Sequence, residues 1–170
     1  LIDAGAEFDY YTSDITRTFP VGKRFTEGQA KLYSLVLKSQ KEAIAMAKPG
    51  ATLPAIHKRV CETLIDGLLS LGLFKGDSAE IFKTAGHRRF YPHNTSHWLG
   101  MDVHDVGLYQ KNGEPRPLEP GMCFTIEPGF YSQPGDSAVP AEFAKIGIRI
   151  EDDILITPNG CENLTADAPK

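Results

Sequence analysis

Residues 93–107, HNTSHWLGMDVHDVG, hold three of the chain's five histidines: His93, His97 and His104. Neutral imidazole binds divalent transition metals and shuttles protons near neutral pH. On its own, such a cluster is more often polar surface or hydrogen-bonded packing than a functional site. Four carboxylates elsewhere tip the balance. Asp3, Asp14, Glu127 and Glu151 each sit in an apolar or β-branched setting, where an unpartnered carboxylate is costly to bury. Asp3 and Asp14 are 11 residues apart, so a hairpin could aim both at one site. Alternatively, Asp14 caps a turn with Ser13 and Asp3 meets backbone amides. Four carboxylates match the charge of two divalent cations. With one imidazole, His97, they make an oxygen-rich set that suits Mn²⁺, Co²⁺, Fe²⁺ or Zn²⁺ and is too hard for copper. Two carboxylate-bridged cations are a device for activating water against a carbonyl. Neither GxSxG nor HExxH occurs, which argues against a serine hydrolase and a single-zinc helix site.

These residues need a scaffold, and 170 residues suffice for one domain with a real core. A 41% hydrophobic and 24% charged composition is ordinary for a globular protein. A net charge of −4 without a basic run gives no support for nucleic-acid binding. No apolar run is long enough to span a membrane. Cys61, Cys123 and Cys161 are scattered and lack CxxC spacing. They read as reduced thiols, which predicts the cytoplasm, with the mitochondrion as the alternative if a targeting segment preceded the chain. The chain opens on Leu1-Ile2-Asp3 without a Met, as though inside a strand, which predicts a fragment of a longer domain.

Along the chain, LIDAGAEF and YYTSDITRTF predict two strands joined by a turn. Residues 26–48 predict a helix: Thr26 and Gln29 have capping-box spacing, and Pro49-Gly50 ends it. A second helix is predicted from about Leu53 to Leu71, with Ile56, Val60, Leu64, Ile65, Leu68 and Leu71 inward. Cys61 reads as core, and His57, off the apolar stripe, as a solvated surface residue. A short helix follows near 78–84. The alternation in 93–107 predicts a strand. Residues 111–121, with three prolines and two glycines, predict a surface loop. MCFTIEPGFY, ended by Pro128-Gly129, and IGIRIEDDILIT predict strands, with 133–145 a loop between them. Three consecutive acids, Glu151, Asp152 and Asp153, demand something positive nearby.

The segments LIDAG…SDITRTFP, HNTSHWLGMDVHDVG, FTIEPGFY and GIRIEDDILIT resemble, in this order, the metallopeptidases of the pita-bread (creatinase/aminopeptidase) fold. The Xaa-Pro aminopeptidases resemble them most. The likeness runs over nearly the whole chain and implies an α+β fold, a curved antiparallel sheet covered by helices, with residues 1–170 a partial catalytic domain. It implies two divalent metal ions, Mn first and Co, Zn or Fe as alternatives. Asp3 matches the bidentate ligand of one metal, Asp14 and Glu151 the bridges, and His97 and Glu127 the ligands of the other. Glu127 also matches a proton shuttle. His93 and His104 match catalytic and substrate-contacting histidines, with His104 supporting the tetrahedral intermediate. Tyr131 and Arg149 match substrate-binding residues near a proline pocket. The implied reaction is hydrolysis of an N-terminal Xaa-Pro bond by a metal-bridging hydroxide, on a peptide with proline second. The resemblance leaves a homo-oligomer open. Prolidases resemble the chain too, but carry a longer insertion between the last two glutamates, here 24 residues apart. Non-catalytic binding modules on this fold have lost ligands, and all five are present. Two departures are Asn94, where relatives often have Gly, and the want of the segments that precede Asp3 in the family, including an upstream active-site histidine.

Overall fold

The computed structural model describes residues 1–170. The first 19 residues form four short strands rather than two: β1 (Ile2–Ala4), β2 (Glu7–Phe8), β3 (Tyr11–Thr12) and β4 (Ile15–Arg17). β2 and β3 pair as a hairpin tip, with Asp9 and Tyr10 at positive φ, and β1 pairs antiparallel with β4, Asp3 opposite Thr16. At Gly5 a Cβ would lie 1.8 Å from the Ser13 carbonyl oxygen, so only glycine allows the two strands to meet there.

Helix α1 (Glu27–Met46) starts on the expected capping box between Thr26 and Gln29. Helix α2 (Leu53–Ser70) starts at Thr52, whose hydroxyl accepts from the Ala55 amide, with Pro54 in its first turn. Leu32, Val36 and Ala43 of α1, and Ile56, Val60, Leu64, Ile65 and Leu68 of α2, are almost fully buried. Each such large aliphatic contributes about 1.5–3 kcal/mol by leaving water. The helices pack on each other, and α1 lies against the strands. A short α3 (Ser78–Lys83) and a 3₁₀ turn (Gly86–Arg89) lead to the histidine stretch.

That stretch is not a regular strand. Residues 95–99 run antiparallel to β7 (Cys123–Ile126), through Glu127 N to Thr95 O at 2.8 Å and Thr125 N to His97 O at 3.0 Å. Only Trp98 and Phe124 form a bridge, because the His97 amide donates to the Thr125 hydroxyl instead of a backbone carbonyl. The chain then bends back, with Asp105 N donating to Trp98 O. At Gly100 a Cβ would meet the Asp105 carboxylate at 1.9 Å, so any larger residue here would have to displace that side chain from the bend. The proline-rich segment expected as loop contains a small hairpin, β5 (Gln110–Lys111) with β6 (Glu114–Pro115), turned by Asn112 and Gly113 at positive φ.

The first of the two predicted strands stops before Pro128, as expected, and the second is broken. After β7 comes β8 (Gly129–Tyr131), then a 3₁₀ turn (Ala141–Phe143) and β9 (Gly147–Arg149), which pairs with β8. β10 (Asp152–Thr157) pairs with β7 and with β11 (Gly160–Asn163). The breaks at Glu127-Pro128 and Ile150-Glu151 lie side by side, Ile150 N donating to Pro128 O at 3.3 Å. Proline has no N–H for the ladder, so both strands change direction together, and the two glutamates sit at the step. All strand pairs are antiparallel.

The positive charge demanded by the three acids is there. Arg17 on β4 meets fully buried Asp152 at 2.8 Å and also donates to the Glu151 carbonyl at 2.6 Å. Gln40, Asn163, Thr165 and Lys170 complete the donors to Asp152. Burial opposes its charge, but the Lys170, Arg17 and Asn163 bonds hold its pKa below the usual value. Breaking a buried pair strands the remaining charge. Arg17→Ala is therefore expected to lower stability by about 3–5 kcal/mol in chemical denaturation. A loss below about 1 kcal/mol would mean that the pair behaves as a solvated one.

Candidate metal centre

The step between β7–β8 and β9–β10, the start of β4 and the extended 95–99 segment converge on one open cavity. It is lined by Asp3, Asp14, His93, His97, His104, Tyr109, Glu127, Arg149 and Glu151, with Asn94 and Ser96 at one side. All five expected ligands and the four other expected site residues except Tyr131 line it, and Tyr131 stands just behind.

His97 is its centre. Its Nδ1 faces the Trp98 carbonyl oxygen at 3.0 Å. A carbonyl only accepts, so Nδ1 carries the proton and Nε2 an unprotonated lone pair. That lone pair points at Asp14 Oδ2 at 3.4 Å, Glu127 Oε1 at 3.5 Å and Glu151 Oε1 at 3.9 Å. Burial pushes the His97 pKa down, outweighing the Trp98 bond. Donor atoms of Asp14, His97 and Glu151 all lie within 4.8 Å of one another. Lone pairs thus converge, and without a cation only a carboxyl proton can lie between them.

The carboxylates record the same conflict. Asp14 is pushed up to about 6 by burial and then by Asp3. Glu127 rises to about 7 through burial, opposed by Arg149 and reinforced by Asp14. Glu151 rises to about 8 through burial and its neighbour Glu127. Acids held this close cannot all ionise without a counter-charge. Divalent cations are the counter-charge that this set of oxygens and one imidazole fits.

Asp3 stands at the outer lip with its side chain 44% exposed. It is tied inward by Arg149, whose guanidinium also reaches the Thr16 hydroxyl and, at 3.1 Å, the Tyr131 hydroxyl. Tyr131 OH lies 2.7 Å from His93 Nε2, while His93 Nδ1 faces the Asn94 carbonyl at 2.8 Å. The tautomer follows: Nδ1–H donates to Asn94, and Nε2 accepts from Tyr131. A relay Asp3–Arg149–Tyr131–His93 therefore forms one wall. His104, brought round by the bend at Gly100, sits edge-on to His97 with ring centroids 4.2 Å apart.

Two further residues belong to the site. Thr16 donates to Glu151 Oε2, and Thr125 to Glu127 Oε1 at 3.4 Å. Strand alternation could have found them, since Thr16 lies two residues beyond Asp14 and Thr125 two before Glu127, on the same faces. His57 departs from its expected surface role. It is half-buried, bonded to Thr95 Oγ1 at 2.8 Å and packed near His87 and Tyr91. Its position on α2 faces the 3₁₀ turn, which helical periodicity within α2 cannot reveal.

Residues 1–158 match the sequence profile of metallopeptidase family M24. The Xaa-Pro aminopeptidase of Escherichia coli (strain K12) is 48% identical over 170 residues, all of this chain and 38% of that protein. The structure of Pseudomonas aeruginosa aminopeptidase PepP superposes with a TM-score of 0.97 at 47% identity, covering 99% of this chain and 38% of that one. Zn-substituted E. coli aminopeptidase P in complex with product gives 0.94 at 48% identity, again over 99% of this chain and 38% of that one. The chain thus spans about 38% of the length of these relatives. With the family profile matching residues 1–158 and the fold superposing over 99% of its length, the chain belongs to metallopeptidase family M24.

Proposed function

We propose that this chain carries the catalytic centre of a dinuclear metal-dependent aminopeptidase that hydrolyses the N-terminal Xaa-Pro bond of peptides. The observation that carries the reading is the His97 Nε2 lone pair facing three crowded carboxyl groups, which only cations or shared protons can hold together. Asp3, Asp14, His97, Glu127 and Glu151 would hold two divalent cations, Mn²⁺ being the first choice for so hard a donor set. Bound there, such cations supply Lewis acidity toward a carbonyl and lower the pKa of water.

The chain's own groups supply the rest. Glu127, lining the cavity beside His97 and His93, is within reach to take a proton and give it to the departing proline nitrogen. His104, at the mouth of the cavity beside His97, is placed to donate to the carbonyl oxygen as negative charge develops. His93, fixed by Asn94 and Tyr131, presents a rigid wall to the substrate side chain. Arg149 holds Tyr131 and Asp3 in register. Three unpaired cysteines suit a reducing compartment, and we place the protein in the cytoplasm on that ground.

The test is hydrolysis of a Gly-Pro-X tripeptide beside its Gly-Ala-X counterpart, before and after exhaustive chelation and Mn²⁺ restoration. Cleavage of the proline peptide alone, lost and regained with metal, is expected. Cleavage confined to Xaa-Pro dipeptides would move the reading to a prolidase. Absence of both metal binding and cleavage would leave a peptide-binding module.

A further inference from the structure

A second cluster of ligating side chains lies away from the carboxylate centre, between α2 and the 3₁₀ turn. His57 and Cys61 are four residues apart on α2, so they share one helix face. His87 approaches from Gly86–Arg89. One donor atom from each lies within 4.8 Å of the other two. His57 Nε2 stands 3.4 Å from Cys61 Sγ. Tetrahedral Zn²⁺, with bonds of about 2.0–2.1 Å to nitrogen and about 2.3 Å to sulfur, sets an N···S edge of about 3.6 Å, so the pair is already at ligand spacing.

Two independent features point to an ion rather than packing. His87 is 7% exposed, and its Nδ1 is buried without any hydrogen-bond partner. A buried imidazole nitrogen left unpaired is costly unless something fills the gap. His57 Nδ1 contacts the Thr95 hydroxyl at 2.8 Å, and Thr95 in turn contacts Tyr91 OH at 2.8 Å. With Nδ1–H donated to Thr95, the His57 Nε2 lone pair faces Cys61. That outer hydrogen bond is how metal-ligating histidines are oriented. Phe82 stacks on His87 at 5.6 Å and Tyr91 covers His57 at 5.8 Å, so the site is walled by aromatic rings.

We infer that His57, Cys61 and His87 form a second, thiolate-containing site for a soft divalent cation, Zn²⁺, that fastens the turn leading to His93 and His97 onto α2. Burial pushes the Cys61 thiol up to about 12 and His57 down to about 4. The imidazoles are therefore neutral, each with one lone pair to offer, and the thiol proton leaves when the cation enters. One thiolate and two neutral imidazoles leave the fourth tetrahedral position open.

Co²⁺ is the probe, because a thiolate ligand gives a near-ultraviolet charge-transfer band that the oxygen-and-imidazole centre cannot. The expected result on the intact protein is this band at saturating Co²⁺, its displacement by Zn²⁺, and its persistence in Cys123→Ala and Cys161→Ala. Cys61→Ala should abolish it, with thermal unfolding of the metal-free variant confirming the fold. His87→Gln keeps the thiol but should weaken Zn²⁺ binding at this site by about 100-fold. No band at saturation, a band that survives Cys61→Ala, or unchanged affinity in His87→Gln would each overturn the site. None of these readouts depends on peptidase activity or on the carboxylate centre.

Discussion

Glu151→Gln is expected to reduce Xaa-Pro hydrolysis by about 10³-fold or more and, in the same variant, to raise the stability of the metal-free protein. The two effects have opposite signs because they come from one carboxylate in two states. With cations bound, Glu151 would be a ligand facing His97, and removing its charge would forfeit several kcal/mol of charge stabilisation, each 1.4 kcal/mol being a factor of ten. Without cations, its 2% exposed carboxyl is crowded by Glu127 and Asp14. Glutamine keeps the acceptor oxygen for the Thr16 hydroxyl and drops the repulsion. The metal-free variant should gain on the order of 1–3 kcal/mol at pH 8, while its response to Mn²⁺ shrinks. Calorimetric scans with and without Mn²⁺, beside a peptide assay, read both. If hydrolysis survives within tenfold, Glu151 does not hold the cations. If the metal-free variant is destabilised, the carboxylates are not in conflict.

The second large effect is on pH. Asp14 at about 6, Glu127 at about 7 and Glu151 at about 8 all lie above their ordinary values, and buried Asp153, at about 6, joins them. Folding therefore favours their protonated forms. The stability they contribute is full below about pH 4, and is lost as pH rises through the folded values. The buried histidines act oppositely. His57, His93 and His97 are pushed down, so their contribution is present above about pH 6.5 and fades as pH falls. The two groups offset each other below pH 6.5, leaving only the acids above it. The metal-free protein should thus become steadily less stable from about pH 6.5 to 8.5. Cations reverse this, because they displace the same protons. Mn²⁺ affinity should rise across that window, by up to about two protons released as Glu127 and Glu151 give theirs up. Thermal melts at stepped pH, with and without saturating Mn²⁺, check the sign. A flat or rising metal-free curve would show that these carboxyls do not share one desolvated site.

Helix α1 shows how far local chemistry reaches. The Thr26–Gln29 box, the apolar spacing from Leu32 to Ala43 and Pro49-Gly50 are all short-range, and they give the element without any partner. The same holds for α2 and for the ligand set, because carboxylates in apolar strands and a histidine at the right place in their order are properties of the string. The breaks at Glu127-Pro128 and Ile150-Glu151 were less legible. Pro128 is visible, but that a second break lies beside it depends on the pairing of β7 with β10 and β8 with β9. The histidine stretch alternates as a strand should, yet the His97 amide goes to the Thr125 hydroxyl and its end folds back at Gly100, both long-range decisions.

By itself the sequence determined which groups this protein has for chemistry, and the helices and most strand segments that carry them, because residue type and spacing act over a few bonds. Only the tertiary structure decided their convergence. It set the His97 lone pair against three acids, tied Asp3 to His93 through Arg149 and Tyr131, seated Arg17 on Asp152, and brought His57 under the turn of His87. Each of these joins residues from separate elements whose approach is set by packing and register, and side-chain identity along one strand or helix holds no record of what a distant segment will bring against it.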